Sequence, residues 1–196
     1  PEPRKFTKPV KVGGREYHYG PSTSSVWCTP SFDATTGLIT FGTDAHNSPR
    51  EPTRDDPRTY TPHSCAIIAL EVGTGKEKWV TQINPSDVWN YSHGTYDAKT
   101  GLYKDQSIGD TPKPYTLTID GKSRRVVGAG CKNGVFYVLD ALTGKIVHHT
   151  PQYKGPPSQT PRDVPARTLA LPGAAGGLQT GCATDGKAIY TNGMDT

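Results

Sequence analysis

The residues whose chemistry depends most on spacing are the four cysteines, Cys28, Cys65, Cys131 and Cys182. They lie far apart and form no C-x-x-C pair, which argues against a structural zinc site and against a thioredoxin-like redox pair. Three of them sit in or beside apolar, strand-like runs. Two readings fit that placement: small buried side chains, or one or two disulfides formed in an oxidising compartment. Among the histidines, His93 is of the side-chain type that serves as a general base near neutral pH. A loop histidine making ordinary hydrogen bonds is the plainer reading for it, and for His46 and His63. Asn90 cannot take a proton, because an amide has no basic site near neutral pH.

Any such residues must be held by strands. The 196 residues are 33% hydrophobic and 20% charged, enough to bury a core, and the 22 Gly and 18 Pro fall between short apolar runs. That pattern reads as many turns joining many strands. Two segments repeat: A-I-I-A-L-E-V-G-T-G-K-E-K-W over 66–79 and V-F-Y-V-L-D-A-L-T-G-K-I-V-H over 135–148. Each carries an apolar strand, an acidic residue, a spacer ending T-G-K and a second strand. The spacing predicts hairpins in which Gly75 and Gly144 supply a positive φ, while the acidic residue and the Thr satisfy turn N–H groups. Trp79 is expected to pack across the sheet onto a neighbour, and His148, which replaces it in the second copy, to pack less.

Each hairpin follows another strand run, within 29–42 and 125–130, and a third unit opens with G-C-A-T-D-G-K-A-I-Y-T-N-G from Gly181. Four-stranded units in series predict an all-β chain of β-propeller blades. The blade repeats are expected over about 24–83, 115–150 and 176–196, with a loop insertion over about 84–114. The insertion explains why the T-G-K turns lie 69 residues apart, longer than common blades. Loops of that kind build sites on one face of a propeller. The net charge of +4 is spread along the chain; Lys122, Arg124 and Arg125 come closest to a cluster and read as a solvated turn, so no nucleic-acid partner is inferred. No run of about 18 apolar residues is present to span a membrane as a helix.

The A-x-(D/E)-x-x-T-G-K-x-x-W signature resembles the tryptophan-docking motif of the pyrroloquinoline-quinone (PQQ) dependent alcohol dehydrogenases, which are eight-bladed propellers. The resemblance is strongest at 26–43, 67–82, 85–91 and 131–140, and G-G-L-Q-T-G-C-A-T-D-G at 176–186 looks like the polyvinyl-alcohol dehydrogenase branch. At this length only three to four blades fit, so the resemblance implies part of a larger propeller. It also implies PQQ and calcium as cofactors. Trp27 matches the family's floor residue, on which the quinone stacks, and Lys132 in C-K-N-G-V-F-Y matches the cation that touches the quinone oxygens. Other positions depart. Ala45 stands where the family has a calcium-binding Asn, leaving Asp44 or Asn47 as nearby oxygen donors. Asn90, in Trp89-Asn90-Tyr91-Ser92, stands where the family has its catalytic Asp, and retains only an amide oxygen for a metal.

The resemblance thus implies a periplasmic or secreted quinoprotein that passes hydride from an alcohol to PQQ, with an electron acceptor and further blades or partner chains. A non-catalytic propeller that kept the blade motifs and lost the cofactor is the alternative, favoured by Ala45 and Asn90. A carbohydrate-binding propeller rests only on exposed Tyr and Trp.

Overall fold

The computed structural model describes residues 4–12, 14–21, 24–45, 59–84, 96–97, 102–103, 106–152, 176–185 and 188–194. Every regular element among them is a strand, as the turn-rich composition predicts. A first hairpin pairs β1 (Lys5–Val12) with β2 (Arg15–Tyr19). A four-stranded antiparallel sheet follows, in the order β3 (Ser31–Asp33), β4 (Leu38–Gly42), β5 (Ala66–Glu71) and β6 (Glu77–Gln82). The short β7 (Tyr96–Asp97) and β8 (Leu102–Tyr103) pair with each other. A second four-stranded sheet holds β9 (Lys113–Ile119), β10 (Lys122–Gly130), β11 (Val135–Asp140) and β12 (Ile146–Pro151), adjacent in chain order. Finally β13 (Ala183–Thr184) pairs with β14 (Ile189–Tyr190).

Both T-G-K segments form the β5–β6 and β11–β12 turns, with φ of 67° at Gly75 and 70° at Gly144. The backbone bond that closes the turn is the same in each, but only Asp140 takes turn N–H groups with its carboxylate, Glu71 accepting from the Thr74 hydroxyl (3.1 Å). The Gly75 N–H donates to the Glu71 carbonyl (2.7 Å) and the Gly144 N–H to the Asp140 carbonyl (2.9 Å). Asp140 Oδ1 also accepts from the N–H groups of Leu142 (3.1 Å) and Thr143 (3.0 Å).

The two sheets are joined through Trp79. Its side chain is 7% exposed, and its Nε1–H donates to the Ala141 carbonyl of the second sheet at 3.0 Å. The indole lies where a side chain on Gly144 would be: a Cβ there would stand 2.6 Å from the Trp79 ring and 2.8 Å from Thr81 Oγ1. Gly75 has the same backbone but nothing within 4 Å of an added Cβ. His148 is exposed and bonds Thr150 at 3.1 Å, so the second copy lacks this contact among the described residues. Around Trp79 the core collects Leu38, Ile67, Ala69, Ile108, Ala129 and Leu139. The period-2 alternation of β11 sends Phe136 and Val138 to a second cluster with Tyr115, Val126, Leu178 and Cys182.

Arg125 differs from expectation. It is no solvated edge: its Nη2 and Nε donate to the two carboxylate oxygens of buried Asp33 at 2.7 and 3.0 Å, tying β10 to β3. The guanidinium holds Asp33 well below the usual carboxylate range, to about 2. A bidentate, largely enclosed pair of this kind fixes geometry as well as contributing energy. The β1–β2 hairpin is a further element that the repeat pattern does not announce. It leans on the first sheet's long connection through Tyr17 against Tyr60, ring centroids 5.7 Å apart.

Replacing Trp79 by Ala should cost about 3–5 kcal/mol of unfolding free energy, the range for a large buried aromatic. Gly75→Ala should cost about 1–2 kcal/mol through its φ alone, and Gly144→Ala should cost clearly more, because the methyl also meets the indole. Equal losses in urea titrations of the two glycine variants would contradict the docking geometry.

Candidate cofactor-binding site

The strand order sets which residues share an end of the sheets. The antiparallel pairings put the residues before β3 and after β4 beside each other, and likewise those before β9 and after β10. The segments meet there. Ile108 N donates to the Thr43 carbonyl (3.1 Å), Lys132 N to the Ser107 carbonyl (3.1 Å), and Leu178 N to the Cys131 carbonyl (3.1 Å). This backbone lacing runs from the first sheet to the second and on to the segment before β13.

It brings together the two residues matched to the cofactor floor and clamp. Trp27 is 42% exposed, unusual for a tryptophan, and Lys132 Nζ lies 5.3 Å from the centroid of its ring. They come from different sheets, 105 positions apart in the chain. An ammonium at this distance interacts with the negative face of the indole, worth about 0.5–1 kcal/mol at an open site. The arrangement presents a partly exposed π-surface with a cation over it. A planar, anionic, aromatic ligand fits both features.

The oxygen donors are placed differently. Asp44 Oδ1 accepts from Ser107 Oγ at 2.6 Å and from the Ala45 N–H at 2.7 Å, and its backbone is tied to Ser24, Ser25 and Cys65. Its carboxylate therefore closes the corner between β4 and the segment before β9. Ala45 is fully buried and offers only a methyl. Asn47 and Asn90 lie outside the described residues, as do His46, Trp89 and His93. Among the described residues no three His, Cys, Asp or Glu side chains gather as a cation site. The donor set in view does not fit calcium, which takes about six to eight oxygens. His63 is an exposed loop residue bonded to Glu77 at 2.7 Å.

All four cysteines are free, three buried and Cys28 half-buried. Burial pushes the thiols of Cys28 and Cys182 up, the latter to about 11, so neither is a reactive thiolate at neutral pH. Cys28 instead serves the backbone, its Sγ accepting the Gly42 N–H at 3.0 Å.

Asp110 carries no mark in the sequence that singles it out. It is fully buried, and its carboxylate accepts from Gly130 N (2.9 Å) and Cys182 N (3.2 Å), linking the second sheet to the third unit. Burial raises its pKa to about 6, while the Gly130 and Cys182 N–H groups and Lys113 pull the other way. The one available signal is T-P, which follows Cys28 as Thr29-Pro30 and Asp110 as Thr111-Pro112.

Comparison with known proteins agrees with this fold. The family model for the glucose/ethanol/alcohol dehydrogenase β-propeller domain matches residues 2–189. Lupanine 17-hydroxylase [cytochrome c] of Pseudomonas sp. is 32% identical over 191 residues, covering 88% of this chain and 25% of the relative. The polyvinylalcohol dehydrogenase of Sphingopyxis sp. (strain 113P3) is 30% identical over 201 residues, covering 99% of this chain and 26% of the relative. The crystal structure of the quinohemoprotein alcohol dehydrogenase from Comamonas testosteroni aligns with a TM-score of 0.51 and 26% identity, covering 66% of this chain and 17% of that one. The chain spans about a quarter of the length of the curated relatives it matches.

The raised pKa of Asp110 carries a pH signature. Between about pH 4 and pH 6 the folded protein keeps a proton that the unfolded chain has released, so this group's stabilisation is lost as pH rises through that window. Asp110→Asn should remove that slope, so that the variant gains about 2 kcal/mol relative to wild type between pH 4 and pH 7. Parallel stability curves for the two proteins would show that Asp110 does not titrate in this way.

Proposed function

The chain belongs to the glucose/ethanol/alcohol dehydrogenase β-propeller family, and on that premise we propose that it supplies the floor and the cationic clamp of a PQQ pocket in a dehydrogenase acting on an alcohol. The observation that carries this reading is the Trp27–Lys132 pair: an exposed indole with an ammonium 5.3 Å from its centroid. When bound, PQQ supplies a hydride acceptor. The chain's own part is to bind and orient. Trp27 offers a π-face that sets the ligand's plane. Lys132 places positive charge where negative charge develops on a reduced ring, at a cost already met by the fold.

Two family roles are not assigned to described residues. Asn90 cannot take the alcohol's proton, so the base is sought in another group. Asp44 spends its Oδ1 on Ser107 and the Ala45 N–H, so in this reading it holds the corner of the fold. The comparisons lend no support to a non-catalytic scaffold, since the relatives named above carry dehydrogenase and hydroxylase names. The blade repeats run, in this reading, over about 24–83, 115–150 and 176–196, with 84–114 inserted. An electron acceptor, further polypeptide completing the propeller, and a periplasmic or secreted setting belong to the same proposal.

Calorimetric titration with PQQ tests it. Weak, saturable binding that calcium does not strengthen is expected for the chain as it stands. Trp27→Ala should abolish it, and Lys132→Ala should weaken it about fivefold, the equivalent of about 1 kcal/mol. Unchanged affinity in both variants would overturn the assignment; a large calcium-dependent gain would show that a cation site exists after all.

A further inference from the structure

The internal repeat reaches beyond the strands into the site. Residues 25–31 and 107–113 align without a gap, and equivalent bonds confirm the match. Asp44 N donates to the Ser25 carbonyl (2.9 Å) as Lys132 N does to the Ser107 carbonyl (3.1 Å). Gly42 N donates to Cys28 Sγ (3.0 Å) as Gly130 N does to Asp110 Oδ2 (2.9 Å). A thiol and a carboxylate thus fill one role in two repeats. In this alignment Trp27 of the first unit corresponds to Gly109 of the second.

Gly109 is not among the residues with a positive φ, so its backbone does not call for glycine. Space does. A Cβ there would stand 3.1 Å from Trp27 Cζ3 and 3.3 Å from both Cα and Cβ of Gln179. The edge of the indole from one unit therefore lies against the equivalent position of the next, with Gln179 also in contact. The Gln179 side is held: Leu178 N bonds the Cys131 carbonyl (3.1 Å), and Gln179 Nε2 donates to the Gly176 carbonyl (2.7 Å). The indole, partly exposed, is the partner free to move.

We infer that Gly109 is a positioning residue: its missing side chain leaves the notch that sets the tilt of the Trp27 ring, and with it the plane on which a flat ligand stacks beside Lys132. The positioning stands on the contacts alone; its effect on ligand affinity rests on the PQQ reading above. A methyl at position 109 meets three atoms at distances tighter than ordinary van der Waals contact, and close packing passes such strain to whatever yields first.

The experiment uses the chain labelled with 5-fluorotryptophan, whose three resonances report the three tryptophans separately; the Trp27 signal is identified by its loss in Trp27→Phe. Gly109→Ala should move the Trp27 resonance, leave that of Trp79 in place, and weaken PQQ binding about tenfold, since small misplacements of a binding surface have effects of that order. In the Trp27→Phe background, which removes the indole edge and keeps the two Gln179 contacts, the same glycine substitution should lower the melting temperature clearly less than it does in the wild-type chain. An unmoved Trp27 resonance in Gly109→Ala would overturn the inference. Should Gly109→Ala fail to fold, the double variant decides: folding there supports a collision with the indole, and failure there too overturns it. A Trp27 resonance that moves in a protein whose wild type does not bind PQQ keeps the positioning role and removes the cofactor reading.

Discussion

The arrangement depends on one contact, the Trp79 indole lodged between the two four-stranded sheets. Its N–H meets the Ala141 carbonyl and its ring fills the space that Gly144 leaves empty. The contact is specific because it needs three things together: a donor on the ring, an acceptor in the next turn, and no Cβ beneath the ring. At the opposite edge the Arg125–Asp33 pair joins the same sheets near β3 and β10. Between these two fastenings the relative rotation of the sheets has little freedom. That is why Trp27, which precedes the first sheet's opening strand, and Lys132, in a turn of the second, come within 5.3 Å. The site belongs to neither sheet; it is a product of how they dock.

What is legible in the sequence follows from how local the physics is. The T-G-K turns are readable because the acidic residue, the threonine and the glycine act within five positions, and the hairpins form where those residues fall. Trp79 is readable because its motif occurs twice, once with a poor substitute. The equivalence of Cys28 and Asp110 is faint, since a thiol and a carboxylate look unalike and only the Thr-Pro after each marks it, even though each accepts one backbone N–H from a strand-end glycine. The ion pair of Arg125 is hidden for a different reason. Its partner is 92 residues away, and a cation beside two other basic residues reads as surface until the sheets are docked. The β1–β2 hairpin escapes notice because Pro9 and a register shift between Lys5 and Val10 blur its alternation, although Gly14 marks its turn.

The candidate site shows the same division. Trp27 and Lys132 occupy places that the family resemblance implies, and their contact gives those places a shared geometry. Asp44 reads in the sequence as a spare oxygen donor, yet its carboxylate is used inside the fold, holding Ser107 and the Ala45 N–H. A side chain already accepting two hydrogen bonds at one oxygen is a structural corner first. With Ala45 buried beside it, this corner is satisfied from within the fold. Trp27, close by, keeps a partly exposed indole.

Docking of the two sheets through Trp79 creates the Trp27–Lys132 pair. Protons held over an indole face are shifted upfield by its ring current, so the side-chain methylene signals of Lys132 measure that pairing directly. Upfield-shifted Lys132 ε-protons are expected in the wild-type chain, lost in Trp27→Ala and strongly reduced in Trp79→Ala, which leaves both members of the pair intact. Lys132 signals at ordinary positions in the wild type, or unchanged by removal of Trp79, would contradict it.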